Sequence, residues 1–264
     1  MLVVTVVTLL LLRNGQLPNR VYQIMAGTAS DAPCVGEVTL AVIGDFGEAG
    51  QPEADVANLV HSWNVDYVLT TGDNNYPNGA ASTIDANIGQ YYQQYIGSYT
   101  GSYGPGAAQN RFFPVPGNHD WNSTNLQPYL DYFSLPGNER YYEIELGPVH
   151  LFALDSDSRE PDGRTVTSTQ AAWLQNALAN SSAPWKLVTL HHPPYSSSST
   201  HGSDPTMQWP FAAWGATAVL AGHDHTYERL QQDGIPYFVN GLGGRSIYPL
   251  GTTLPGSVVR YNLD

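Results

Sequence analysis

Five short polar motifs stand directly after apolar runs of the chain, at points where a buried strand would end. They read GDFG from Gly44, GDNNY from Gly72, GNHD from Gly117, HH from His191 and GHDH from Gly222. Each motif alone has an ordinary explanation, because Asp and Asn favour turns and helix caps. Together they supply carboxylate and phenolate oxygens with imidazole nitrogens, which suit iron, manganese and zinc. The set therefore predicts a metal centre.

The candidate metal ligands are seven side chains from these motifs: Asp45, Asp73, Tyr76, Asn118, His191, His223 and His225. His223 and His225 are two residues apart, so an extended backbone directs both imidazoles to one side and Asp224 to the other. Two imidazoles on one side can serve adjacent ions. The Asp73 carboxylate is the candidate bridge between two ions about 3.5 to 4 Å apart, a separation that activates water and stabilises an in-line displacement.

The elements that must position these residues begin with a βαβ unit. An apolar run at 39–44 ends at Asp45, a helical stripe follows over 52–63, and a second apolar run at 65–72 ends at Asp73. Parallel strands joined by a crossover helix place both following loops at the same carboxyl edge of a sheet. Metal ligands from both loops can therefore meet there.

Further elements follow the same logic along the chain. A capping box of Thr167 and Gln170 predicts a helix that reaches Asn180, and the Ser-rich run 196–199 is typical of a flexible loop. The segment 74–109 carries no legible role. Strands are predicted at 111–117, 185–190, 217–222 and 235–241, with a hairpin over 141–154.

Composition limits the function classes. The 264 residues, 42% of them apolar, are enough for one domain over 37–264. Asp and Glu number 23 against 10 Lys and Arg, for a net charge of -13, so a nucleic-acid-binding module is not expected. An acidic protein that acts on phosphate needs local positive charge, which bound metal ions can provide. Cys34 is the only cysteine, which excludes an intrachain disulfide and a cysteine-based metal site.

The N-terminal segment 1–36 leaves two alternatives open. Residues 1–12 are apolar, yet the run is too short to span a membrane, and no Lys or Arg precedes it as in a secretory signal. It is either an atypical export signal or a strand rich in Val and Thr, followed by a linker. An extracytoplasmic or secreted protein is the expectation.

The motif order D-x-G, G-D-x-x-Y, G-N-H-D, V-x-x-H and G-H-x-H, over about 38–244, resembles the purple acid phosphatase branch of the calcineurin-like metallophosphoesterases. The wider superfamily usually has D-x-H first, where this chain has Gly47 and instead offers Tyr76. The resemblance implies Fe(III) held by Asp45, Tyr76 and His225, with a divalent ion (Fe, Zn or Mn) held by Asn118, His191 and His223. Asp73 would bridge the two ions.

The resemblance also implies roles near the substrate. His119 would face the phosphoryl group and protonate the leaving alkoxide, and Asp120 could orient it. His201 lies on the Ser-rich loop, where related enzymes present a substrate-facing His. Neither Ser nor Cys stands in a recognisable nucleophile arrangement, so direct attack by a metal-bound hydroxide is expected.

The predicted fold is therefore an α/β four-layer α/β/β/α sandwich with two mixed sheets flanked by helices. Family members carry further strands after the position of residue 264, which suggests truncation at the C-terminus. The expected activity is acid-phosphatase-like hydrolysis of small phosphate monoesters. Two alternatives stand beside it: a phosphodiesterase acting on nucleotides or phospholipid head groups, and a non-catalytic binding protein with a vestigial metal site.

Overall fold

The computed structural model describes residues 38–262. The N-terminal segment 1–36, predicted as either an export signal or a strand with a linker, lies outside the described residues. The strands are β1 Leu40–Ile43, β2 Tyr67–Thr70, β3 Phe112–Phe113, β4 Tyr142–Leu146, β5 Val149–Ala153, β6 Trp185–Thr189, β7 Ala218–Ala221, β8 Tyr227–Gln232, β9 Ile235–Asn240 and β10 Ser257–Tyr261.

Helices connect these strands. The α-helices are α1 Gln51–Ser62, α2 Ala81–Ile84, α3 Gln90–Tyr92, α4 Gln127–Tyr132, α5 Thr169–Asn180 and α6 Phe211–Trp214. A π-helical turn covers Asp85–Gly89, and short 3-10 turns cover Gln93–Tyr95, Asp120–Asn122, Thr124–Leu126 and Pro205–Met207. The segment 74–109, which the sequence left without a role, therefore contains a nearly continuous helical stretch from 81 to 95.

The strands form two sheets. The smaller has the order β1-β2-β3, and all of its described strands are parallel. The larger has the order β10-β8-β9-β7-β6-β5-β4 and mixes parallel with antiparallel pairs. The predicted βαβ unit is confirmed, because β1 and β2 pair in parallel on either side of α1. The expected mixed pairing is found only in the larger sheet, since helical crossovers join the strands of the smaller one.

Three apolar clusters show how the layers stack. On β1, Leu40 and Val42 pack toward the larger sheet, whereas Ala41 and Ile43 pack toward α1 and the 81–95 stretch. The opposite face of the larger sheet packs on α5 and α6, with Leu174 among the contacts. Alternating side chains of a buried strand face opposite sides, so the predicted four-layer α/β/β/α sandwich is confirmed.

Three local expectations need correction. The N-cap of α5 is Ser168, whose hydroxyl accepts from Ala171 N at 3.2 Å, so the predicted capping box of Thr167 and Gln170 is wrong. Gln170 is instead buried in the core, where its side chain accepts a hydrogen bond from Asp155 N and donates one to Asp155 O. The run 196–199 is largely buried and hydrogen-bonded to buried carboxylates, so it is not the flexible loop that its serines suggested.

The third correction concerns β8 and β10, which the sequence analysis missed. β8 and β9 form a hairpin whose turn residues Asp233 and Gly234 have φ of 52° and 85°. An Asp-Gly pair with both φ values positive is a favoured two-residue hairpin turn. That dipeptide was the available signal. Among residues 38–262, no helix combines the length and apolar character needed to cross a bilayer.

Candidate metal centre

Backbone conformation at the strand ends places the predicted ligands. Asp45 follows β1, Asp73 follows β2 and His223 follows β7, and their φ values are positive at 56°, 52° and 67°. Left-handed backbone is uncommon for residues with a side chain and concentrates at functional sites. The Asp45 amide also donates to Gly72 O at 3.0 Å, which ties the two loops together. The carboxyl edges of both sheets therefore present their side chains to one point.

Four of the predicted ligands form the oxygen-rich side of this point. Tyr76 OH lies 3.0 Å from Asp73 Oδ2 and 3.4 Å from Asp45 Oδ1. His225 Nε2 lies 3.3 Å from Tyr76 OH and 3.4 Å from Asp45 Oδ1. We call Asp45, Tyr76 and His225 the oxygen-rich half, with Asp73 at its boundary.

The remaining predicted ligands meet on the other side of Asp73. His191 Nε2 lies 3.1 Å from Asn118 Oδ1, 3.1 Å from His223 Nδ1 and 3.4 Å from Asp73 Oδ2. We call Asn118, His191 and His223 the nitrogen-rich half. The ligand atoms of Asp73, His191 and His223 all lie within 4.8 Å of one another. Asp73 Oδ2 thus stands between the two halves, as expected of a bridging carboxylate.

The spacing of these atoms fits metal ions. Ligand atoms about 2.1 Å from a shared ion lie about 3.0 to 3.4 Å apart in octahedral or tetrahedral arrangements. The contacts between the predicted ligand atoms in both halves fall in that range, from 3.0 to 3.4 Å. Several of them join two lone pairs, which repel each other unless a cation or a proton lies between them. The donor set, oxygen with nitrogen, matches iron, zinc and manganese.

Electrostatics of the side chains point the same way. Burial raises the pKa of Asp73, but the neighbouring His191 and His119 outweigh it and hold that pKa well below its usual range. Burial lowers the pKa of His191, and the Asp73 carboxylate outweighs it, raising the pKa to about 10. Burial, followed by the charges of Asp45 and Asp73, raises the pKa of the Tyr76 phenol far above its usual value. The cluster thus favours positive charge, which metal ions supply.

Backbone carbonyls fix three of the imidazoles. A carbonyl oxygen can only accept, so the ring nitrogen that contacts it carries the proton. His191 Nδ1 donates to Thr71 O at 2.8 Å and His225 Nδ1 donates to Ser246 O at 2.5 Å. His119 Nδ1 donates to Pro77 O at 2.5 Å. In each ring Nε2 is then the nitrogen that faces the site, as in metal-binding histidines whose other nitrogen is held by an outer partner.

Gly47 shows why the first motif lacks the histidine usual in the superfamily. A Cβ atom at this position would lie 1.8 Å from Asn74 O, and its own carbonyl accepts from Tyr76 N at 2.7 Å. No side chain fits there. The close approach of Gly47 to the second motif is what brings Tyr76 into the place where a ligand is needed.

Asp120 occupies a different position from the one predicted. Asp120 is buried, and its Oδ2 accepts from Asn74 N, Asn74 Nδ2 and Gly117 N at 2.8 to 3.1 Å. The partner of the His119 ring is Pro77 O, so the expectation that Asp120 orients His119 is wrong. Asp120 joins the second and third motifs instead. Burial, followed by the charge of Asp73, raises the pKa of Asp120 to about 7. His119 Nε2 lies 3.9 Å from Asp73 Oδ2, with the side chain 32% exposed.

The His201 ring reaches the nitrogen-rich half. It stacks on His223 with a centroid distance of 4.1 Å and contacts Tyr248 edge-on at 5.5 Å. Tyr248 in turn stacks on His225 at 3.9 Å and an interplanar angle of 9°. One imidazole in each half is therefore stacked on a neighbouring ring: His223 on His201, and His225 on Tyr248.

Sequence reasoning missed the Gly-rich turn at 241–244 as part of the site. The residues that follow it include Arg245, whose guanidinium lies 4.6 Å from the centroid of the Tyr76 ring, together with the Ser246 carbonyl and Tyr248. Arg245 also pairs with Glu48. No spacing rule marks these residues, because a backbone carbonyl and a single aromatic ring leave no pattern in a sequence.

Comparisons with known proteins identify the family of the chain. Residues 38–227 match the family model described as Calcineurin-like phosphoesterase. Purple acid phosphatase 17 of Arabidopsis thaliana is 24% identical over 244 residues, which cover 80% of this chain and 70% of that protein. Against two further curated acid phosphatases the match spans 64% and 47% of their length.

Two solved structures share the fold. The purple acid phosphatase PPD1 from yellow lupin seeds superposes with a TM-score of 0.67 at 17% identity, covering 87% of this chain and 48% of that one. GAP50, described as the anchor in the inner membrane complex of Plasmodium, superposes with a TM-score of 0.63 at 16% identity, covering 84% and 76%. The chain therefore belongs to the calcineurin-like phosphoesterases, a family of metal-dependent phosphoesterases, and is similar to its purple acid phosphatases.

Proposed function

We propose that the protein is a two-metal hydrolase of small phosphate monoesters, acid-phosphatase-like in its chemistry. The observation that carries the proposal is the position of Asp73 Oδ2 between Tyr76 OH at 3.0 Å and His191 Nε2 at 3.4 Å. One carboxylate oxygen shared by two ligand sets is the arrangement that a pair of ions requires.

The two halves suit different ions. Asp45, Asp73, Tyr76 and His225 offer mainly anionic oxygen, which favours Fe(III), whereas Asp73, Asn118, His191 and His223 suit a divalent Fe, Zn or Mn ion. When bound, the ions would activate water for direct attack on phosphorus and offset the negative charge of the transferred group. Asp45, Asp73 and Tyr76 balance the ions' charge from the protein side.

His119 is the proposed acid for the leaving group. Its Nδ1 proton is committed to Pro77 O, so Nε2 is the atom that gains and releases a proton at the open side of the site. Protonated Nε2 can donate to the leaving alkoxide, which otherwise departs as a poor leaving group. The Pro77 carbonyl keeps the ring from rotating while it does so.

His201 is the proposed contact to the phosphoryl oxygens. His201 is exposed beside His223, whereas His119 lies against the Tyr76 ring. A monoester dianion presents three terminal oxygens, which two ions and two flanking imidazoles can share. A diester presents one oxygen fewer and needs room for a second group.

Comparing substrates tests this proposal directly. After reconstitution with iron and zinc, we expect nitrophenyl phosphate to be hydrolysed with a higher kcat/KM than bis(nitrophenyl) phosphate. A preference for the diester would favour the phosphodiesterase alternative.

The non-catalytic alternative is a binding protein with a vestigial site. The anchor described from Plasmodium shares the fold, so fold alone does not decide between the two. The full set of seven ligands favours hydrolysis, since a relic has no constraint to keep them all. A reconstituted protein that binds two ions and hydrolyses neither ester would favour the binding role.

We also propose an extracytoplasmic location, which rests on the apolar residues 1–12 and on the similarity to purple acid phosphatases. Secretion with and without residues 1–36 tests it.

A further inference from the structure

Asp224 stands between the two predicted ligands His223 and His225, yet its carboxylate faces away from the cluster. The residue is fully buried. Its Oδ1 accepts from His201 N at 3.2 Å, and its Oδ2 accepts from Gly202 N at 3.1 Å and Ser196 Oγ at 2.5 Å. All three donors belong to one loop, which we call the His201 loop, residues 196–202. The motif that carries the ligands therefore also carries the anchor of this loop.

Asp224 holds the backbone amide of His201, and separate contacts hold its imidazole ring. Stacking on His223 at 4.1 Å and an edge contact to Tyr248 set where the imidazole lies. With amide and ring both tied to the 223–225 segment, His201 is held in register with the metal ligands. A buried carboxylate that accepts three hydrogen bonds from one loop loses all three if the loop shifts, so Asp224 is suited to hold the loop in place.

A second buried carboxylate holds the same loop without touching His201. Glu228 accepts from Ser197 N at 2.6 Å, from Ser197 Oγ at 2.6 Å and from Ser257 Oγ at 2.5 Å. It ties the start of the loop to β8 and β10. Glu228 thus offers a matched control: a carboxylate of similar burial that binds the same loop, away from residues 201 and 202.

We infer that Asp224 is a positioning residue that fixes His201 at the metal centre, so that the imidazole meets the substrate's phosphoryl oxygens. The inference rests on the proposed function for the role of His201, and on geometry alone for the anchoring. It gives a purpose to the acidic residue inside the GHDH motif, which the metal ligands leave unexplained.

A double-mutant cycle tests the functional part. We expect His201→Ala to raise KM for nitrophenyl phosphate about tenfold, close to 1.4 kcal/mol. Asp224→Asn should reproduce most of that rise with two ions still bound, and the double variant should be no worse than His201→Ala. The effect of Glu228→Gln should persist unchanged in the His201→Ala background. Additive effects of Asp224→Asn and His201→Ala would overturn the inference.

Amide hydrogen exchange, resolved by NMR, tests the anchoring without any turnover. Asp224→Asn should speed exchange at His201 and Gly202 more than tenfold, and Glu228→Gln should leave those two amides unchanged. Ser196→Ala removes a single donor and gives a smaller change in the same direction if Asp224→Asn fails to fold. Unchanged exchange in both would overturn the anchoring. Faster exchange in a protein that hydrolyses no phosphate ester would instead contradict the proposed function and still support the anchoring by Asp224.

Discussion

The two halves of the candidate centre are built differently around a shared carboxylate. The oxygen-rich half gathers Asp45, Tyr76 and His225 from three separate loops, and the turn after 241–244 covers it with Arg245 and Tyr248. The nitrogen-rich half places His223 among other imidazoles: His191 at 4.8 Å, His192 at 4.4 Å and His201 at 4.1 Å between ring centroids. One half is rich in oxygen donors and the other in imidazole nitrogen donors. Two unlike ions are the arrangement that this difference favours.

The largest effect should come from breaking the boundary between the halves. Asp73→Ala removes the oxygen that both share, and we expect less than one ion per chain with a loss in kcat/KM of about 10³-fold or more, equivalent to several kcal/mol. Metal analysis with steady-state kinetics measures both. Asp131→Ala, at an exposed position of α4, is the control and should change neither. Two ions retained in Asp73→Ala would show that the halves do not share this ligand.

The next largest effect should come from removing one histidine ligand from one half at a time. His223→Ala should release the divalent ion and keep iron, whereas His225→Ala should weaken iron and keep the divalent ion, because each imidazole belongs to one half only. Activity should fall about 100-fold or more in both. Element-specific metal analysis separates the two cases. Parallel loss of both ions in each variant would mean that the centre behaves as a single unit.

A smaller effect should follow from removing the ring behind His225. Tyr248→Ala takes away the stacked face, and we expect about tenfold weaker iron retention, in the range found for outer partners of metal ligands. Tyr248→Phe keeps the stack and should behave as the parent. Iron loss can be followed by competition with a chelator. Equal loss in the Phe variant would assign the effect to the hydroxyl instead of the ring.

The smallest effect on activity should come from Glu53, a buried residue of α1 that belongs to neither half. Burial raises its pKa to about 10. Above about pH 4 the unfolded chain ionises this group while the folded chain keeps it protonated, so the free energy of unfolding falls as pH rises from about 4 to 10. Glu53→Gln should flatten that fall and raise stability at pH 7.

Urea unfolding at several pH values measures this pH dependence of the free energy of unfolding, with exposed Glu145→Gln as the control. An unchanged pH slope in Glu53→Gln would contradict the account.

The clustering of the seven candidate ligands could be predicted from the sequence because they follow strands whose apolar runs are legible, and strand ends share an edge. β8 was missed because its sequence YERLQQ alternates poorly between apolar and polar residues. The partners that orient the imidazoles were missed for a different reason. The carbonyls of Thr71, Pro77 and Ser246 do this work, and every residue has a carbonyl. Asp120 was misassigned because adjacency to His119 in the chain suggested a contact that the backbone turn prevents.

The central claim is that the centre holds two unlike ions, with Tyr76 on iron. The most direct measurement is metal analysis together with the visible spectrum of the reconstituted protein. The account predicts about two ions per chain, one of them iron, and a phenolate-to-iron absorption band that Tyr76→Phe removes while His119→Ala leaves it in place. A colourless protein carrying two divalent ions, or a band that survives in Tyr76→Phe, would contradict it.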